Sequence, residues 1–153
     1  MIVVSDTTAI TSLLKIDRAQ ILAELFKEVI IPEAVRDELL KYHAAVPAFL
    51  QVKSLKDYSQ IAGLLEDLDI GEAEAILLAL ELSAEALLID ERRGREIAQS
   101  KGIVCLGLAG ALLLAKRRGL IPSVRELLDE LETGARFYLA TELKREIVEQ
   151  SGE

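Results

Sequence analysis

The chain contains no tryptophan and no asparagine, one histidine, one methionine and one cysteine. A lone thiol, Cys105, excludes a disulfide framework or a thiolate zinc cluster within one chain. It sits in the apolar run Ile103-Val104-Cys105-Leu106, where a buried cysteine in a strand is expected and not a nucleophile. Long hydrophobic runs are missing too. The N-terminal run Ile2-Val3-Val4 is too short for a signal peptide and has no basic region before it. Ile103 to Ala115 is too short to span a bilayer and contains two glycines. A cytoplasmic location, with no membrane contact, is expected. Basic charge is also scarce: 18 Lys and Arg stand against 26 Asp and Glu, for a net charge of −8. That argues against a general nucleic-acid coat, which needs cations to meet phosphates. It leaves room for a nuclease whose acidic site meets phosphate through bound cations. Few Asn, Met and Cys with abundant Glu is a thermophile-like composition.

What is present is ample core material, 51% hydrophobic residues over 153 positions, with no repeat, low-complexity segment or linker. One domain over 1–153 is expected, with about 122–153 as a helical extension. Short apolar runs that do not alternate are separated by helical patterns. Strands are expected at 2–5, 28–31, 51–55 (an edge), 86–89 and 103–106. Helices are expected at 7–15, 18–26, 32–41, 58–65, 72–82, 91–100, 109–118, 124–131 and 137–149, with Pro32 at a first helical position and Gly119 as a C-cap. This pattern predicts a three-layer α/β/α fold: a central parallel sheet of four to five strands with helices on both faces.

The carboxylates carry the chemistry. Asp6 and Asp90 each follow an apolar strand directly, where open parallel sheets place their ligand crevice. Either alone is as readily a helix cap. On the helix from Pro32, at about 100° per residue, Ala34, Val35, Leu39 and Tyr42 form one apolar arc. Glu38 falls inside it and Asp37 outside. A carboxylate on a buried face needs a partner, a proton or a metal. In Gly71-Glu72-Ala73-Glu74-Ala75-Ile76 the two glutamates point about 160° apart, and periodicity does not choose between them. Either also suits the helix dipole. Two bare carboxylates about 4 Å apart repel by roughly 4 kcal/mol at an effective dielectric of about 20. A cluster of Asp6, Glu38, one of these glutamates and Asp90 would therefore take up protons or cations. All-oxygen ligands select Mg²⁺ or Mn²⁺, which suits phosphodiester hydrolysis. His43 follows Glu38 in a loop and is expected at the surface. Arg92, Arg93 and Arg95 follow Asp90; Arg92 and Arg93 are the candidates for RNA phosphate contact, against a solvated face in which Glu91, Arg92, Arg95 and Glu96 pair. Lys116, Arg117 and Arg118 suit a helix C-terminus.

The order of these segments resembles the PIN-domain family, the metal-dependent ribonucleases that include VapC-type toxins, and in particular a branch with G-E-x-E-A-I and L-I-D-E segments. The matching pieces are Val4-Ser5-Asp6-Thr7-Thr8, Val35-Arg36-Asp37-Glu38-Leu39, Gly71 to Ile76 and Leu88-Ile89-Asp90-Glu91-Arg92. The resemblance covers nearly the whole chain. It implies Asp6, Glu38, Glu74 and Asp90 as catalytic metal ligands, Glu74 standing where toxins carry Asp. It implies Thr8 as a contact to water or the metal shell, with Glu72 and Glu91 in reserve. The implied activity is a Mg²⁺/Mn²⁺-dependent endoribonuclease, acting on RNA. A toxin role, an antitoxin partner and a homodimer are further implications. The alternatives are a non-catalytic PIN-like binding module and a haloacid-dehalogenase-type phosphatase, which would need a second Asp where Thr8 stands.

Overall fold

A computed structural model describes all residues, 1–153. Its elements run β1 (Ile2–Ser5), α1 (Thr7–Lys15), α2 (Gln20–Leu25), β2 (Glu28–Pro32), α3 (Glu33–Tyr42), β3 (Leu50–Lys53), α4 (Ile61–Leu64), α5 (Ile70–Leu82), β4 (Ala86–Leu88), α6 (Arg92–Ser100), β5 (Cys105–Leu106), α7 (Leu108–Arg117), α8 (Val124–Ala135) and α9 (Thr141–Gln150). The five strands form one sheet, order β3-β2-β1-β4-β5, with every pairing parallel. The expected α/β fold with a parallel sheet is the one observed.

Residues alternate between two cores. Val3, Val29, Ile31 and Leu88 face α1, α2, α3, α7 and α8, while Val4, Ile30, Leu87 and Ile89 face α5 and α6. α5 is apolar nearly all round, and every residue from Gly71 to Ala79 is buried. The 122–153 segment is packed into the first core: α8 supplies Val124, Leu127, Leu128 and Leu131, and α9 supplies Val148.

Several boundaries differ from the sequence expectation for physical reasons. Pro32 ends β2 in register with Lys53, and α3 starts at Glu33; a final strand position asks no N–H of proline. The expected helix 58–65 shrinks to one turn, since Asp57 accepts the Ser59 N–H and holds that stretch as a turn. α9 begins only at Thr141, because Arg136 takes a left-handed φ of 53° and breaks the run after α8. Tyr42 leaves the expected apolar arc of α3: Val35 and Leu39 are fully buried, but Tyr42 is 73% exposed.

Successive connections lead from β1 outward to β2 and β3, then back past β1 to β4 and β5. The direction of winding therefore reverses between β1 and β4. In such sheets the ligand crevice lies at this reversal, beyond the C-terminal strand ends. Asp6 and Asp90 leave the sheet there, each from one of the two flanking strands, and the Asp6 N–H donates to Leu88 O of β4 at 2.9 Å.

Candidate metal and nuclease site

Asp6 is the N-cap of α1, yet its carboxylate makes no cap bond to the helix and is only 5% exposed. Glu38 reaches it from α3. A Cβ placed on Gly71, at the start of α5, would lie 3.0 Å from Glu38 Oε2, 3.5 Å from Asp69 Oδ1 and 3.6 Å from Asp6 Oδ1. Three carboxylates thus converge on the one backbone position that offers no side chain. Thr7 Oγ1 donates to Glu38 Oε2 at 3.0 Å and fixes its aim. The hydroxyl that serves Glu38 is Thr7; Thr8 lies half-buried beside it.

Asp69 and Glu72 form a capping box. Asp69 Oδ1 accepts the Glu72 N–H at 2.8 Å, and Glu72 Oε1 accepts the Asp69 N–H at 3.0 Å. This box places Asp69 at the site and was open to detection as D-x-x-E ahead of an apolar run. Glu72 is 7% exposed. Burial pushes the Asp6 carboxyl up to about 7; the Thr7 amide opposes this, and the charges of Glu72, Asp69 and Glu38 add to it. Glu72 is also raised to about 7, chiefly by burial, against the Asp69 amide and with the charges of Asp69 and Glu91.

Glu74 and Asp90 are committed to backbone. Glu74 Oε1 accepts the Ala34 N–H at 3.1 Å, in the first turn of α3. On the same face of α5, Glu81 accepts the Lys56 and Asp57 amides. Both oxygens of the Asp90 carboxylate face the start of α7, taking the Leu108 N–H at 3.1 and 3.3 Å. Burial raises the Asp90 carboxyl, opposed by the Leu108 amide and by Arg95. Gly107 admits this approach: a Cβ there would lie 3.0 Å from Asp90 Oδ1 and 2.9 Å from Arg95 Nη1. The N-cap of α6 is Glu91, not Asp90; Glu91 accepts the Arg93 and Gly94 amides. As they stand, no three His, Cys, Asp or Glu side chains are disposed around one ion position. The structure brings Asp6, Glu38 and Asp69, the last also the N-cap of α5, around Gly71, and holds Glu74, Asp90 and Glu91 at other helix starts.

The cleft in front of this cluster has a volume of about 720 Å³ and is lined by Arg36, Glu38, Lys41, Tyr42, Asp69 and Glu74 among others. Arg92 and Arg93 lie on α6 in exposed pairs with Glu96, and Arg93 also reaches Asp67. Arg95 leaves the expected solvated face and turns inward to Asp90. His43 is half-buried, with Nε2 2.6 Å from Thr11 Oγ1. Cys105 is half-buried on β5, and burial raises its thiol.

The architecture is that of an α/β fold with an acidic crevice at the sheet's reversal point. The chain belongs to the PIN-domain family: residues 2–153 match the family described as PIN domain, generally a nuclease fold. Among solved structures it is similar to a PilT N-terminus domain protein of the hyperthermophilic archaeon Sulfolobus solfataricus P2, with 21% identity and a TM-score of 0.58 over 73% of this chain and 91% of that one. At that identity the likeness speaks to the fold. No curated protein gives a match. No helix is long and apolar enough to cross a membrane.

Proposed function

We propose that this PIN-domain chain is a metal-dependent endoribonuclease that hydrolyses RNA phosphodiester bonds. The observation that carries this reading is the convergence of buried Asp6 with Glu38 and Asp69 on Gly71. The donor set fits a hard divalent cation. All its atoms are carboxylate oxygens, and Asp6 has no cationic partner to offset its burial. Mg²⁺ is commonly held by one or two carboxylates, with water and substrate phosphate completing the shell. Asp6 and Glu38 would hold Mg²⁺ or Mn²⁺. Glu74 and Asp90 belong to the proposed set as carboxylates flanking it, and Thr8, Glu72 and Glu91 as neighbours. The ion, when bound, polarises a phosphoryl oxygen and lowers the pKa of a bound water.

The chain's own residues prepare the site. Thr7 orients Glu38 by its hydrogen bond. The β1 ladder fixes Asp6 relative to β4 through the Leu88 carbonyl. Glu74 fixes the first turn of the helix that carries Glu38. Arg92 and Arg93 offer phosphate contacts on the adjoining α6.

Cleavage of an end-labelled RNA with Mn²⁺ tests the reading. Asp6→Asn and Glu38→Gln are expected to lower the rate by at least about a hundredfold. Equal cleavage by both variants would overturn it. A second reading, a PIN-like module that binds without catalysis, is favoured by the use of Glu74 and Asp90 as acceptors for helix amides. It predicts no cleavage and no Mn²⁺-dependent rise in melting temperature. The toxin role, an antitoxin partner and a homodimer belong to the proposal through the resemblance to VapC-type proteins. Light scattering over a wide concentration range tests the dimer, and a strictly monomeric mass removes it.

A further inference from the structure

We propose that Tyr42 and Lys41 form the nucleotide-holding wall of the acidic cleft. In this arrangement the Tyr42 ring stacks on a base of single-stranded RNA, and Lys41 takes a phosphate beside it. This inference rests on the nuclease reading above and deepens it.

Tyr42 closes α3 one turn beyond Glu38. Residues four apart share a helix face, so its ring stands on the side that carries the site carboxylate. It lines the same cleft as Glu38 and Asp69. At 73% exposure it is the most exposed large apolar side chain in the protein. Its hydroxyl has no hydrogen bond within the chain, whereas Tyr58 donates to Glu33 Oε1 at 3.3 Å. The backbone that carries the ring is anchored on its C-terminal side. The next residue, His43, is fastened to Thr11 of α1, and its N–H donates to Leu39 O at 2.9 Å.

Charge points to the same ligand. Two cations line this cleft, and Arg36 is held by Asp37 at 3.0 Å and by Glu33 at 3.8 Å. Lys41 is in no ion pair. A free ammonium at the edge of a carboxylate cluster suits a polyanion that crosses from cation to metal site. Across the cleft, Ile70 at the start of α5 is 52% exposed and offers an apolar surface facing the same space. Aromatic rings accept any base by its π-face, which gives affinity without sequence preference. A duplex keeps those faces stacked inside and presents none, so the wall selects single strands.

The test is fluorescence anisotropy with the full chain and a labelled oligouridylate of about ten nucleotides, a length within single-strand site sizes. Ca²⁺ replaces Mn²⁺, since its looser coordination holds phosphate without the octahedral geometry of Mg²⁺. Tyr42→Ala is expected to weaken binding by about tenfold or more, and Tyr42→Trp to restore it. Lys41→Ala should lower the slope of log affinity against log salt by about 0.7, one phosphate contact on a single strand. A duplex of the same length should bind less tightly to the parent and be indifferent to Tyr42→Ala. Both positions are exposed, and unchanged melting temperatures confirm that the fold is kept. If the parent binds the single strand and Tyr42→Ala binds it equally, this inference is overturned and the nuclease reading stands. If the parent binds neither oligonucleotide and cleaves no RNA with Mn²⁺, both fall.

Discussion

Asp6 is a carboxylate whose surroundings work against its charge. Its pKa rises from 3.8 to about 7 in the fold, first through burial and then through three neighbouring acids. A raised pKa means that the folded state holds the proton more tightly than the unfolded chain. The associated stability is fully present below about pH 4 and is lost as pH rises through about 7. Glu72, raised from 4.5 to about 7, acts in the same direction. In chelator, the melting temperature should therefore fall between pH 4 and pH 8. Asp6→Asn should flatten part of that fall and melt several degrees above the parent at pH 8, with the gap closing at pH 4. Parallel melting profiles for the two proteins would contradict this. The sequence made Asp6 and Glu38 visible, because one ends an apolar strand and the other breaks an apolar helical arc. The resemblance singled out Thr8 and left Thr7 without a role, because which hydroxyl meets Glu38 depends on where α3 lies, and that hydroxyl is Thr7.

At the scale of elements, the carboxylates of α5 behave as fasteners. Glu74 takes an amide from the first turn of α3, and Glu81 takes two amides ahead of α4. Negative charge at an N-terminal turn satisfies an orphan N–H and complements the helix dipole. Glu74→Ala should destabilise the chain by about 1 kcal/mol, measured by urea unfolding. Glu74→Gln, which keeps an acceptor, should recover most of the loss. If Glu74→Ala is neutral, the bond to Ala34 carries no weight. This use was hidden in the sequence. Periodicity places Glu74 on a buried helix but does not say that another helix begins opposite it. The capping box of Asp69 and Glu72, by contrast, is local in sequence; read as such, its spacing would have moved the helix start from the expected residue 72 to Ile70. Boundaries failed where a tertiary feature cut the apolar pattern, as at Arg136 ahead of α9.

For the whole molecule, the order of strands and helices was legible because a parallel sheet covered on both faces leaves unbroken apolar strands between amphipathic helices. The strand order was not written locally; it decides that Asp6 and Asp90 flank one reversal point. The net charge of −8 sets a background against which any cation effect must be judged. Salt screens self-repulsion gradually and without saturation. A specific site stabilises by RT ln(1 + [L]/Kd), about 2.7 kcal/mol at a hundredfold excess over Kd. Mn²⁺ should thus raise the melting temperature along a saturating curve, beyond what matched ionic strength in NaCl gives, and Asp6→Asn should remove the saturating part. A Mn²⁺ response that NaCl reproduces would leave no site.

The central position of β1 has a consequence for how the protein is made. Its partners β2 and β4 lie on either side in space but on one side in sequence, and the Val3–Ala86 pairing closes a loop of just over half of the chain. β2 holds β1 from one side, and the Asp6 N–H gains its acceptor, Leu88 O, only from β4. During vectorial synthesis, a nascent chain that has not yet released β4 from the ribosome lacks the acceptor of the Asp6 N–H. The contact between Asp6 and Leu88 therefore cannot form until more than half of the chain has been synthesised.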